Sequence, residues 1–140
     1  MQLLVRSSHA VAGLLVALAV AACGADPVPS RDVAGRPVAL RPTAEERAVV
    51  WVFVTTDCPI ANAYAPEIQS IADDYAGRGV RTVAVHVDPT TSDARAAEHA
   101  QEYGLRVPVV VDRDLALVRR AGATTTPEAA VVDGAGALLY

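Results

Sequence analysis

Two runs of β-branched residues constrain this chain more than anything else in it. Residues 48–55 read Ala-Val-Val-Trp-Val-Phe-Val-Thr, and residues 80–87 read Val-Arg-Thr-Val-Ala-Val-His-Val. Neither alternates cleanly between apolar and polar, so each suits a strand covered on both faces, the setting of a parallel sheet. Parallel neighbours need a long crossover, and residues 59–78 supply one. Ile60, Tyr64, Ile68, Ile71 and Tyr75 recur there at spacings of three and four, which predicts a helix burying that apolar face. Pro66 is expected to kink it, and Gly77 and Gly79 to end it. A loop at Asp88-Pro89-Thr90-Thr91 precedes Ser92, a good N-cap for a second helix reaching Tyr103 and closed by Gly104. Residues 107–112 read as a third strand, 115–121 as a short helix and 129–133 as a fourth strand. After the turn Gly134-Ala135-Gly136, residues 137–140 begin a fifth strand antiparallel to the fourth. Residues 33–38 read as a small hairpin or turn. The expectation is an α/β fold: a mixed sheet flanked by helices.

Composition removes several function classes. The 140 residues carry 12 Arg, no Lys and 16 acids, a net charge of −4, which leaves no basic surface for nucleic acid. The two cysteines, Cys23 and Cys58, exclude a disulfide scaffold and a Cys-rich zinc site. No metal cluster is evident, Glu45-Glu46 and Asp73-Asp74 read as surface charge, and no cofactor is expected.

The first residues read as an address. Arg6 is followed by an uncharged apolar run over residues 10–22, too short for the roughly 20 residues of a membrane span. Val20-Ala21-Ala22-Cys23 resembles the lipobox of bacterial lipoproteins, which implies cleavage before Cys23 and lipidation of its thiol. Ordinary cleavage after Ala19-Val20-Ala21 is the alternative. The expected organisation is a signal peptide over 1–22, a lipidated Cys23 with a proline-bearing tether over 23–32, and one folded domain over 33–140. The expected location is the cell envelope, facing the periplasm, either membrane-anchored by lipid or secreted.

In open α/β sheets the functional site lies at the carboxyl ends of the parallel strands. Thr55-Thr56-Asp57-Cys58-Pro59 leaves the first long strand there, and Thr124-Thr125-Thr126-Pro127 enters the fourth. Cys58 stands at a helix start, where unpaired amides favour an anion, and Pro59 suits the first helical turn. The adjacent Asp57 carboxylate works against the thiolate. Cys58 is therefore the candidate nucleophile, weighed against a small buried thiol.

The string Thr55-Thr56-Asp57-Cys58-Pro59-Ile60-Ala61-Asn62-Ala63-Tyr64-Ala65-Pro66-Glu67-Ile68, with Thr126-Pro127-Glu128 downstream, resembles the redoxin branch of the thioredoxin-like superfamily. That branch holds the alkyl hydroperoxide reductase and thiol-specific antioxidant proteins and the periplasmic thiol-disulfide oxidoreductases. The resemblance runs over residues 33 to 140, through His86-Val87-Asp88-Pro89, Tyr103-Gly104-Leu105-Arg106-Val107-Pro108 and Val132-Asp133-Gly134. It implies a thioredoxin fold with Cys58 as the attacking thiol, Pro127 as a cis-proline facing it, and Thr55, Pro59, Thr126 and Pro127 around the substrate. It also implies a further helix after the last strand, which nothing here supplies, so the C-terminal part is expected to be truncated.

The chain departs from the branch in three places. Ala61 stands where C-x-x-C has its second cysteine. Asn62 stands where C-x-x-x-C copper chaperones have theirs, which argues against copper delivery despite His86. Thr55 matches the peroxiredoxin P-x-x-x-T-x-x-C, but Trp51 replaces its proline. His86 is expected to be a core or rim histidine bonded to backbone, His99 a solvated residue on a polar helix face, and Arg119-Arg120 a solvated helix end. Trp51 and Phe53 are expected in the core. The leading expectation is a thiol-dependent oxidoreductase and antioxidant using Cys58 alone on disulfide or peroxide substrates, with an external thiol or protein reductant. The alternative is a membrane-tethered thioredoxin-fold binding module without turnover.

Overall fold

The computed structural model describes residues 30–140. A two-stranded ribbon opens it: β1 (Ser30–Arg31) pairs antiparallel with β2 (Pro37–Val38). The turn between them is held by buried Asp32, whose Oδ1 accepts the Ala34 and Arg36 N–H groups and whose Oδ2 meets the Arg36 guanidinium at 2.7 Å.

Behind the ribbon lies a four-stranded sheet in the order β5-β4-β3-β6. β3 (Ala48–Val54) and β4 (Val80–His86) pair in parallel along their whole length, Ala48 with Val80 and Val54 with His86. β5 (Val109–Val111) adds a parallel edge, and β6 (Glu128–Asp133) runs antiparallel on the other side of β3. Residues 137–140 add a Val132–Leu138 bridge and two further backbone bonds to Val131, the start of the expected fifth strand. The crossovers are α1 (Pro59–Ala76) between β3 and β4 and α2 (Asp93–Glu102) between β4 and β5. A short α3 (Ala116–Ala121) precedes β6.

Alternation along β3 divides the core in two. Val49, Trp51 and Phe53 pack with Val83, Val85, Val110 and Val132 on the α3 side. Val52 and Val54 pack with Ala84, Val109 and the alanines of α1 and α2 on the other. The Trp51 indole N–H donates to the Leu40 carbonyl at 3.0 Å, which satisfies its one polar atom in the core.

The face of α1 differs from the expected one. The helix runs unbroken through Pro66 and buries Ala61, Ala65, Gln69 and Ala72, not the isoleucine and tyrosine stripe. Ile60 and Tyr64 are 59% and 55% exposed, Ile71 and Tyr75 are also exposed, and Ile68 is half-buried. Both stripes have helical spacing. Small side chains let the helix axis approach the sheet closely, and the large stripe is turned about one residue's rotation away. Its inner edge lines an apolar groove of about 230 Å3 with Val50, Val52 and Pro127.

Glu46 and Asp73 also depart from simple surface charge. Glu46 takes a forked contact from Arg81 at 2.6 and 2.9 Å, and the same guanidinium reaches the Ala39 and Arg41 carbonyls. These hydrogen bonds lower the Glu46 pKa to about 2. Asp73 accepts from Gln69 and Arg106.

The packing of α1 is open to direct test. Ala65→Leu is expected to overpack the contact with the sheet and cost about 1–3 kcal/mol in urea unfolding of the 140-residue chain. Tyr64→Ser is expected to change stability by roughly half a kcal/mol or less. The reverse ranking would mean that the large stripe is the buried one.

Candidate active site

β3 is bonded on both edges, to β4 and to β6, so the backbone leaving it at Val54 is firmly placed. Four residues later the chain enters α1, with Cys58 as the N-cap in extended conformation (φ −81°, ψ 105°) and Pro59 in the first turn. The Cys58 Sγ accepts the Ala61 N–H at 3.4 Å, and its S–H donates to the Thr126 carbonyl at 3.3 Å. Pairing of Phe53 with Glu128 brings the loop before β6 beside the end of β3, and the Thr126–Pro127 peptide in that loop is cis. Cys58 and Pro59 at the start of α1 thus stand beside the Thr126–Pro127 peptide.

The Cys58 thiol is held below its ordinary pKa. The Thr126 side chain contributes most, followed by the Ala61 N–H, then more weakly the Ile60 N–H, while desolvation and the Asp57 charge oppose them; the bond to the Thr126 carbonyl is made by the protonated thiol. Cys58 is partly exposed and is the single cysteine among the described residues. Cys23 lies outside them, as do the expected signal and most of the tether.

Thr55 occupies a different place from the other candidates. It lines a neighbouring cleft of about 440 Å3 with Phe53, Val87 and Thr126, and makes no side-chain hydrogen bond to Cys58. The loop after that cleft is held by Glu128, whose Oε2 accepts the Thr124 and Thr125 N–H groups at 2.8 and 3.1 Å. Arg120 is exposed, as expected of a helix end. Its guanidinium lies 6.0 Å from the centre of the Trp51 ring and donates to the Gly136 carbonyl.

The histidines depart furthest from expectation. His99 is 1% exposed rather than solvated, and His86 is fully buried with neither ring nitrogen bonded to backbone or side chain. The rings meet edge to face at 5.0 Å, and Tyr103 lies 4.9 Å beyond His99. The His99 Nε2 is 2.7 Å from Asn62 Oδ1, and Asn62 Nδ2 donates to the Thr56 carbonyl at 3.2 Å. Ala96, His99, Ala100 and Tyr103 share one helical face, and that spacing was the available signal for a buried His99. Among the described residues no group of three or more His, Cys, Asp or Glu could hold a metal ion.

The Redoxin family model matches residues 25–140. An uncharacterised conserved protein from Geobacillus kaustophilus superposes with a TM-score of 0.70 at 25% identity, over 81% of this chain and 64% of its own. The chain therefore spans less than two thirds of that structure's length. A secreted Mycobacterium tuberculosis disulfide oxidoreductase homologous to E. coli DsbE gives 0.61 at 20% identity, over 78% of each chain. StoA from Bacillus subtilis gives 0.66 at 19%, over 81% of this chain and 87% of its own. These last two show the thioredoxin-like fold. No curated protein matches the chain.

Burial lowers the His86 pKa to about 4, with help from His99 and Arg95 and opposition from Asp88. An unfolded histidine takes up its proton near pH 6.5, while the folded one resists until about pH 4. Between those values the unfolded state binds more protons, so stability falls as pH falls. Urea unfolding at pH 7 and pH 5 is expected to show a loss of roughly 2 kcal/mol from this group. His86→Leu is expected to lose less over the same interval. Equal losses in the two chains would contradict the assignment.

Proposed function

The chain belongs to the Redoxin family, and from that premise we propose that it is a thiol-dependent oxidoreductase in which Cys58 alone performs the chemistry. The observation that supports this most is the placement of the Cys58 Sγ, capped by an α1 amide beside Thr126 and held below its ordinary pKa. On a disulfide, the Cys58 thiolate attacks one sulfur, forms a mixed disulfide and releases the other sulfur as a thiolate. A second thiol then attacks the mixed disulfide and frees Cys58. On a peroxide, the same thiolate takes the terminal oxygen, becomes a sulfenic acid and releases an alcohol or water after protonation. One external thiol converts the sulfenic acid to a mixed disulfide with loss of water, and a second restores the thiol. Both routes need an external thiol or protein reductant, because Ala61 and Asn62 leave no second sulfur in the first turn of α1.

An envelope location with a lipid on Cys23 belongs to the same proposal, supported by the Val20-Ala21-Ala22-Cys23 string. Intact mass of membrane-extracted protein showing an unmodified Cys23 would remove it. The lone thiol also favours a second reading, a tethered binding module without turnover. Cys58→Ser separates the two. It is expected to keep the fold, since oxygen replaces sulfur with little change in size. It is also expected to abolish dithiothreitol-coupled disulfide or peroxide reduction, with no sulfenic acid trapped by dimedone. Activity equal to that of the unsubstituted chain would sink the enzyme reading.

A further inference from the structure

Three imidazole nitrogens lie buried beneath the Cys58 loop without a hydrogen-bond partner: both of His86 and Nδ1 of His99. Buried polar atoms left unpaired are costly, and a leucine at position 99 would fill similar space without that cost. What the histidine adds is the single polar contact it makes, from Nε2 to Asn62 Oδ1 at 2.7 Å. The Asn62 amide has its orientation set from the other side. Its Nδ2 donates to the Thr56 carbonyl at 3.2 Å, so Oδ1 must face the ring and His99 must carry its proton on Nε2. The Asn62 backbone N–H donates to the Cys58 carbonyl at 3.0 Å. The Asn62 side chain therefore ties the Thr56 carbonyl to α1, whose first backbone bond runs from the Asn62 N–H to the Cys58 carbonyl, and is itself gripped from the interior.

We propose that Asn62 and His99 are positioning residues for Cys58, the His99–Asn62–Thr56 row clamping residues 56–58 onto the first turn of α1 so that the sulfur stays against its capping amide. Neither side chain touches the sulfur. Asp57 sits within the clamped segment, so the row also fixes where that opposing carboxylate stands relative to the thiol. The proposal rests on reading Cys58 as the reactive thiol and extends it to the residues that hold it reactive.

The test compares Cys58 alkylation rate against pH in the unsubstituted chain, Asn62→Ala, His99→Leu and His99→Gln, with urea unfolding run in parallel. Glutamine can place an amide N–H where the imidazole Nε2 stands, and leucine cannot. Asn62→Ala and His99→Leu are expected to raise the Cys58 pKa by about half a unit or more as the sulfur loses alignment with its capping amide. His99→Gln is expected to stay near the unsubstituted value. If His99→Leu fails to fold, the partly exposed Asn62→Ala and His99→Gln carry the comparison. Folded variants with unchanged Cys58 pKa values would overturn the clamp, as would His99→Gln shifting as far as His99→Leu. An ordinary thiol pKa in the unsubstituted chain would instead count against the redox reading itself.

Discussion

A thiol is a poor helix cap, and α1 begins on one. Helices favour Ser, Thr, Asp or Asn at that position because an oxygen accepts the free amides well. A neutral sulfur accepts weakly, whereas a thiolate accepts through a charge-assisted bond and also meets the favourable end of the helix dipole. Cys58 therefore caps α1 best when it has lost its proton, and the first turn of α1 in turn favours that loss. Much of the surrounding structure serves this contact. β3 delivers the loop from between two strands, β6 begins where its preceding loop can set Thr126 beside the sulfur, and Glu128 secures that loop.

The parts legible in the sequence were those set by local rules. The β-branched runs gave β3 and β4 to within a residue, and Ser92 caps α2 through the Arg95 N–H as its type predicts. The Cys58-Pro59 start and the Thr126-Pro127 loop were legible as a pair through resemblance, and the fold brings them within 3.3 Å. The parts that escaped depend on how closely elements approach. On α1 the large apolar stripe outweighs the alanine stripe in any hydrophobicity count, yet close packing on the sheet selects the alanines. On α2 the charged neighbours of His99 make the helix look solvated, but the ring lies on the face shared with Ala96 and Ala100. Thr55 matched a motif by spacing alone, and its side chain belongs to the next cleft.

Burial of two neutral histidines behind Asn62 has a further consequence for the electrostatics. Desolvation lowers the pKa of both rings, so neither brings a formal positive charge to the site near neutral pH. Stabilisation of a Cys58 thiolate then falls to the Thr126 side chain and the backbone amides of the helix start rather than to an ion pair with imidazolium. In this respect the site differs from Cys–His catalytic pairs, where a charged ring lowers the thiol pKa. Such an arrangement favours exchange and oxidation chemistry, in which the sulfur itself is attacked and released, over acyl transfer, which needs a base in contact with the nucleophile.

The most direct measurement is the rate of Cys58 alkylation by iodoacetamide as a function of pH in the folded chain. A Cys58 stabilised as thiolate by the start of α1 gives an inflection clearly below the free-thiol value of about 8.5. An inflection at or above that value would contradict it, because the Ala61 amide and the Thr126 loop would then be doing nothing to favour the charged sulfur.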